Sequence, residues 1–187
     1  ADWVTGGRID AAIINKPRRP LGLNLEYITD EELGLITSAD QHQHLPAVIP
    51  LAMAAGLNLA LPTRHHGLRA ILESFAQAED IDIVPILETD SVVSIIKLVE
   101  TTTFASILPR TAVHRRLERK RLSWRPVVSP RLFRQVVCAT HPRRPLSPAN
   151  AAFIAILTQH IHALGPLYGT GNVTARQNWT AHRINAD

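Results

Sequence analysis

The chain has 187 residues, 45% of them hydrophobic and 19% charged, with a formal charge of +4. This composition excludes a disordered chain and fits one or two small globular lobes, and the modest positive excess permits acidic ligands or nucleic acid without requiring either. The single cysteine, Cys138, excludes an internal disulfide and fits a reducing, cytoplasmic setting. Neither a signal peptide nor an apolar run of the ~20 residues that a membrane span needs is visible.

Residues 1–9 read as the end of a helix, stopped by Gly6 and Gly7 before a strand. Residues 10–15 (DAAIIN) read as a buried strand, and residues 16–23 as a Pro/Arg loop. Strands follow at 25–28 and 33–38, joined by an acidic turn at 29–32. A loop at 41–45 leads to a short helix within 46–55.

From Leu57 to Pro109, apolar runs alternate with polar turns and amphipathic stretches. A first strand at 57–61 precedes a helix at 67–77. Its Leu68, Ile71, Leu72 and Phe75 recur at helical spacing. A second strand spans 81–87, with Pro85 marking an edge or bulge. Asp90 or Ser91 caps the next helix, whose inner face is Val92, Ile95, Ile96 and Val99. A third strand at 105–108 ends at Pro109. This is a βαβαβ pattern, which builds a parallel sheet. Such sheets bind ligands beyond the carboxyl ends of their strands, where the polar turns fall. Small-molecule recognition is therefore the expected task.

Residues 112–120 read as a basic helix, and 124–128 and 132–139 as two more strands. Ser147 followed by Pro148 is a strong helix start. Phe153, Ile156, Leu157, Ile161 and Leu164 then form an apolar stripe. Residues 166–187 are polar and aperiodic, and read as a disordered tail.

Several local strings, in this order, resemble the effector-binding domain of LysR-type transcriptional regulators. They are GGRIDAAII (6–14), LEYITDEELGLITSADQHQHL (25–45), LPTRHHGLRAILESF (61–75), ILETDSVVSIIKLVETTTFASILP (86–109) and RLFRQVVCATHPRRPLSPANAAFIAIL (131–157). Each string alone is weak, but the ordered set is specific.

The resemblance implies an α/β fold of two Rossmann-like lobes, like type 2 periplasmic binding proteins. Lobe I would comprise 1–55 and 131–165, and lobe II 56–130, with an effector in the cleft between them. Two departures stand out. The family's winged helix-turn-helix and the first strand and helix of lobe I have no counterpart. That implies a fragment, or a degraded or truncated regulator, with lobe I incomplete at its N-terminus, and low stability or partner-dependent folding for the isolated chain. DNA contact would belong to the missing segment, and the full-length protein is expected to be a homo-oligomer. The second departure is at residues 101–104, where threonines replace the family's glycine-rich turn.

The turn from Thr63 to His66 precedes a helix N-terminus, which favours anions. Thr63, Arg64 and His65 are candidate effector contacts, Arg64 as a partner for a carboxylate. Simple helix capping by Thr63 is the plainer alternative. Thr89 and Ser91 occupy the parallel turn, and Asn15 ends the lobe I strand facing the cleft. His42/His44, His65/His66 and His160/His162 invite a metal, but no carboxylate or cysteine stands at zinc spacing beside them. No metal or cofactor is expected. Cys138, in an apolar run, reads as a small buried hydrophobe. The basic run 114–125 reads as a solvated helix face. Sequence signatures of the common hydrolase, nucleotide and dinucleotide sites are missing. The expected role is an effector-sensing, dimerising, non-catalytic module. A free-standing solute-binding protein and an α/β enzyme are the alternatives.

Overall fold

A computed structural model describes residues 1–163 and 165, apart from residues 18 and 42. Leu164 and the expected tail at 166–187 therefore lie outside the described residues, as does His42. Helix α1 (Asp2–Thr5) is capped by Gly6, and Gly7 turns the chain at φ +71°, a conformation that suits glycine. Strand β1 (Ala11–Asn15) and the long β2 (Asn24–Ser38) follow. A short strand β3 (Ile49–Pro50) enters α2 (Leu51–Ala55) directly. The alternating unit is β4 (Ala60–Leu61), α3 (Gly67–Ala78), β5 (Leu87–Glu88), α4 (Val92–Thr101) and β6 (Ser106–Pro109). Then come α5 (Arg110–Glu118), β7 (Leu122–Val128), β8 (Phe133–Thr140) and α6 (Pro148–Ala163).

β4 and β5 pair in parallel, and Leu59 bridges Ala105 in parallel, as the βαβαβ reading requires. The larger sheet is mixed. β8 lies between β1 and β2, antiparallel to both. β2 then continues into antiparallel pairing with β6 and β7, and β3 lies parallel to β7. β2 thus serves two halves: residues 24–32 pair with β8, and residues 33–38 with β6 and β7.

The cores follow the same division. Leu33, Leu35 and Ile36 of β2 pack with Leu61, Leu72, Ile95, Val99 and Ile107 in the larger cluster. Ile28, Val136 and Cys138 form a smaller one, against which Ile154 and Ile161 of α6 pack. Burial pushes the Cys138 thiol pKa up, and the carboxylate of Glu26 opposite it acts in the same direction. An unreactive hydrophobe fits that setting.

The structure corrects several local readings. The acidic turn at 29–32 does not exist; β2 passes through it with only an irregularity between Tyr27 and Thr29. Two carboxylates can sit in this strand because arginines pair with them: Glu31 with Arg134, opposite it on β8, and Glu32 with Arg131, just before β8. The strand expected at 81–87 shrinks to two residues. Pro85 lacks a donor for the ladder, and Ile81 N–H turns back to the Ala76 carbonyl at 2.8 Å. The helix expected in 46–55 begins only at Leu51, because Pro50 starts it and the preceding residues extend along β7.

β1 is not fully buried, since Ile13 keeps 40% of its surface exposed. In α6, Phe153 and Ile156 are 65% and 55% exposed, so of the expected stripe these two do not pack, while Ile161 does pack against the smaller cluster. Ser147 does cap this helix, its Oγ accepting from Asn150 N–H at 3.2 Å. At 101–104 threonine hydroxyls replace glycine. Thr101 and Thr102 donate to the Lys97 and Leu98 carbonyls, and Thr102 Oγ1 accepts from Phe104 N–H at 3.2 Å. No described residue there has a positive φ. Among the described residues, no helix is long and apolar enough to cross a membrane.

Candidate functional site

Three turns gather where the strands of the alternating unit end: 62–66 after β4, 89–91 after β5, and the β6–α5 junction. Helix α3 starts from the first of them. Its cap is His66, whose Nδ1 accepts from Leu68 N–H at 3.2 Å, so Thr63 is free of capping duty. Thr63 turns to the second loop instead. Its amide and hydroxyl both donate to Asp90 Oδ1, at 3.0 and 2.8 Å. The hydroxyl bond holds the Asp90 carboxyl below its ordinary 3.8. The Thr63 amide, then His66 and His65, act in the same direction, while partial loss of hydration opposes them. Asp90 therefore acts as a latch rather than a helix cap. Ser91 caps α4, accepting from Ser94 N–H at 3.3 Å. Thr89 Oγ1 accepts from Ser91 N–H at 3.3 Å, which fixes the same loop.

Arg64 and His65 are both exposed on the rim of the first turn. Arg64 lies along α3, with Nε 3.4 Å from Glu73 Oε1. An incoming carboxylate would compete with Glu73 for it, and a pair this exposed is weak.

Asn15 arrives from the other half of the molecule. A methyl group placed on Gly67 would come within 3.3 Å of the Asn15 amide nitrogen, so the end of β1 meets the start of α3. Asn15 Oδ1 accepts from Arg134 Nη1 at 3.2 Å. Arg134 in turn pairs with Glu31, and Glu31 accepts from the Thr111 hydroxyl in the first turn of α5. Asn15, Arg134, Glu31 and Thr111 thus make one hydrogen-bonded chain from β1 through β8 and β2 to α5. Glu31 is 1% exposed, and burial pushes its pKa up despite the opposing charge and hydrogen bond of Arg134.

Sequence reasoning missed four of these residues. By sequence Glu31 falls in the expected acidic turn, and nothing local marks Arg134 or Thr111. Arg69 is the fourth. It is fully buried, with Nη1 2.8 Å from Glu88 Oε1 and donating to the Pro62 carbonyl at 3.2 Å. It ties the first turn to β5. Its Nε lies 3.0 Å from Glu73 Oε1, but off the N–H direction, and Nη2 has no hydrogen-bond partner among the described residues. An arginine on the apolar face of α3, beside Leu68 and Leu72, was the available signal.

The other candidates have structural partners. His160 Nδ1 is 2.9 Å from the Ile156 carbonyl, and His162 Nε2 is 2.8 Å from the Ile28 carbonyl. Among the described residues, no three His, Cys, Asp or Glu side chains are grouped to hold a metal ion.

The family model described as the LysR substrate binding domain matches residues 1–161. Among solved structures, the effector binding domain of QuiR in complex with shikimate is similar, at 18% identity and a TM-score of 0.73. That match covers 85% of this chain and 75% of the other. The regulatory domain of CcmR from Synechocystis, in complex with 2-PG, matches at 18% identity and a TM-score of 0.72, over 84% and 76% of the two chains. A full-length OxyR variant from Pseudomonas aeruginosa matches at 22% identity and a TM-score of 0.67, over 84% of this chain. The chain spans about half of that longer protein, 54%. Among curated proteins no sequence matches with significance.

Proposed function

The chain belongs to the LysR substrate-binding domain family, and from that premise we propose that it senses a small anionic effector in the cleft between its two lobes. The proposed lobes are 1–55 with 131–165, and 56–130. The observation that carries this reading is the meeting of Asn15 with Gly67, beside turns latched by Thr63 and Asp90. Two helix N-termini, α3 and α4, open onto that place, and their amide groups favour negative charge.

In this reading Asn15, Thr63, Arg64, His65, Thr89 and Ser91 line the effector site. Arg64 recognises a carboxylate after leaving Glu73. Arg134 and Thr111 support the site from the strand crossing by way of Glu31. No group performs chemistry; the module binds and changes shape. Effector binding closes the lobes about the β2 and β8 crossing, which alters how subunits pack in a homo-oligomer. DNA contact by such a regulator belongs to a separate winged helix-turn-helix.

The experiment is a thermal-shift panel of small carboxylates, with shikimate and 2-PG included, on the wild-type chain, Asn15→Ala and Thr63→Val. A compound that raises the wild-type Tm and loses its effect in both variants supports the reading. A response undiminished in both variants places binding elsewhere. Turnover of any compound would favour the enzyme alternative.

A further inference from the structure

A basic concavity of about 350 Å3 lies at the far end of α4 and α5 from the effector turns. It is lined by Lys97 and Glu100 of α4, and by Arg115, Arg116, Arg119 and Arg121 around the end of α5. Five cations therefore surround one carboxylate. That carboxylate is poorly placed to neutralise them: Glu100 Oε2 is 3.8 Å from both Lys97 Nζ and Arg116 Nε. Arg115, Arg119 and Arg121 have no ion-pair partner among the described residues. A local excess of four positive charges in a concave place is a potential well for a multiply charged anion.

The backbone holds this arrangement firmly. Lys120 takes a left-handed conformation, φ 53°, where glycine is the usual choice. Its N–H donates to the Leu117 carbonyl at 3.0 Å, and Arg121 N–H donates to the Arg116 carbonyl at 2.9 Å. This reciprocal pair closes the helix and fixes Arg119 and Arg121 on either side of the turn. It also occupies carbonyls at the negative end of the α5 dipole that would otherwise repel an anion. A solvated helix face, as read from the sequence, needs neither a concavity nor a locked turn.

We infer that this concavity is a second ligand site, distinct from the effector cleft, and that it takes a phosphate oxyanion. Planar guanidinium groups match phosphate oxygens with paired hydrogen bonds, and a concavity of this volume admits a small phosphorylated group. The same chemistry is offered by a free phosphate compound and by a nucleic-acid backbone. The inference does not depend on the effector reading.

The test is isothermal titration of the whole chain with inorganic pyrophosphate at low salt. Saturable binding is expected. It should weaken at least about tenfold in Arg115→Ala/Arg119→Ala, because each lost charge-assisted hydrogen bond matters on that scale. It should tighten in Glu100→Gln, which removes the opposing charge while keeping shape, and stay unchanged in Arg143→Ala, a surface arginine elsewhere. No binding, or equal weakening in Arg143→Ala, overturns the inference, as does an unchanged Glu100→Gln. Competition then separates the sources. A short duplex DNA that displaces pyrophosphate identifies a backbone phosphate as the ligand; a duplex that does not identifies a free one.

Discussion

Thr63 gives Asp90 two hydrogen bonds, one from its amide at 3.0 Å and one from its hydroxyl at 2.8 Å, and so joins the turns that start α3 and α4. The relationship has a pH signature. The folded Asp90 pKa lies below the ordinary 3.8, so its contribution is complete above that value and is lost as pH falls through the folded value. Thr63→Val removes the larger cause of the shift. An NMR pH titration of the Asp90 carboxyl carbon should show its pKa moving up toward 3.8 in the variant. An unchanged midpoint would show that the hydroxyl does not latch the turns.

Arg134 is the only charge paired with the buried Glu31 among the described residues. Arg134→Met leaves that carboxylate uncompensated and should destabilise the chain by about 3–5 kcal/mol near neutral pH. The sign of the pH dependence is definite. Glu31 in the folded chain already binds its proton above the ordinary 4.5, so stability falls as pH rises beyond 4.5. Without Arg134 the pKa rises further, and the deficit is larger at pH ~7 than near ~4.5. Chemical denaturation at both pH values checks this; a deficit that does not vary with pH would refute it.

Gly34 has no room for a side chain. A methyl group there would fall 2.3 Å from Trp124 Cε2 and 2.6 Å from the Arg125 carbonyl oxygen. Trp124 is itself held by its indole N–H on the Leu108 carbonyl at 3.1 Å. Gly34→Ala must therefore part β2 from β7, with a loss of about 3 kcal/mol or more by denaturant titration.

Gly67 gives a different outcome. Its methyl contact with Asn15 at 3.3 Å is tight but movable, and its φ is not in the left-handed region. Gly67→Ala should change stability by less than about 1 kcal/mol, since alanine favours the helix while the contact opposes it. Effector affinity should fall, because the added group pushes Asn15 out of position. Paired melting and ligand titration curves separate the two effects.

Phe153 and Ile156 stand exposed on α6, as does Ile13 on β1. Exposed apolar groups beside a strand edge that no described strand covers promote association. Phe153→Ser with Ile156→Ser should leave stability within roughly 0.5 kcal/mol per site and lower the light scattering of concentrated solutions. Unchanged scattering would show that this face is inert.

Much of the frame was legible because local signals decided it. Ser147 before Pro148 marked the start of α6, and the spacing of Leu68 and Leu72 marked the inner face of α3. Gly6 and Gly7 ended α1 where expected. What was hidden depends on partners distant in the chain. Glu31 looks like a turn residue until Arg134 stands opposite it, 103 residues away. Arg69 stands on the apolar face of α3, but the partners that enclose it, Glu88 and the Pro62 carbonyl, belong to other segments. In α6 the apolar residues run round much of the helix, so periodicity finds Ile161 but does not separate the packed Ile154 from the exposed Phe153 and Ile156. At the candidate site, Thr63, Thr89, Ser91 and Asn15 were placed correctly at strand ends. Their partners, Asp90 as a latch and Arg134 as a support, needed the tertiary structure.

The most direct test of the central claim is a 1H–15N NMR titration of the chain with the compound that most raises its Tm. The amides of Thr63 to Gly67, of Thr89 to Ser91 and of Asn15 should shift together and saturate at one affinity. Shifts confined to α6 or to the end of α5, with those turns unmoved, would contradict an effector site between the lobes.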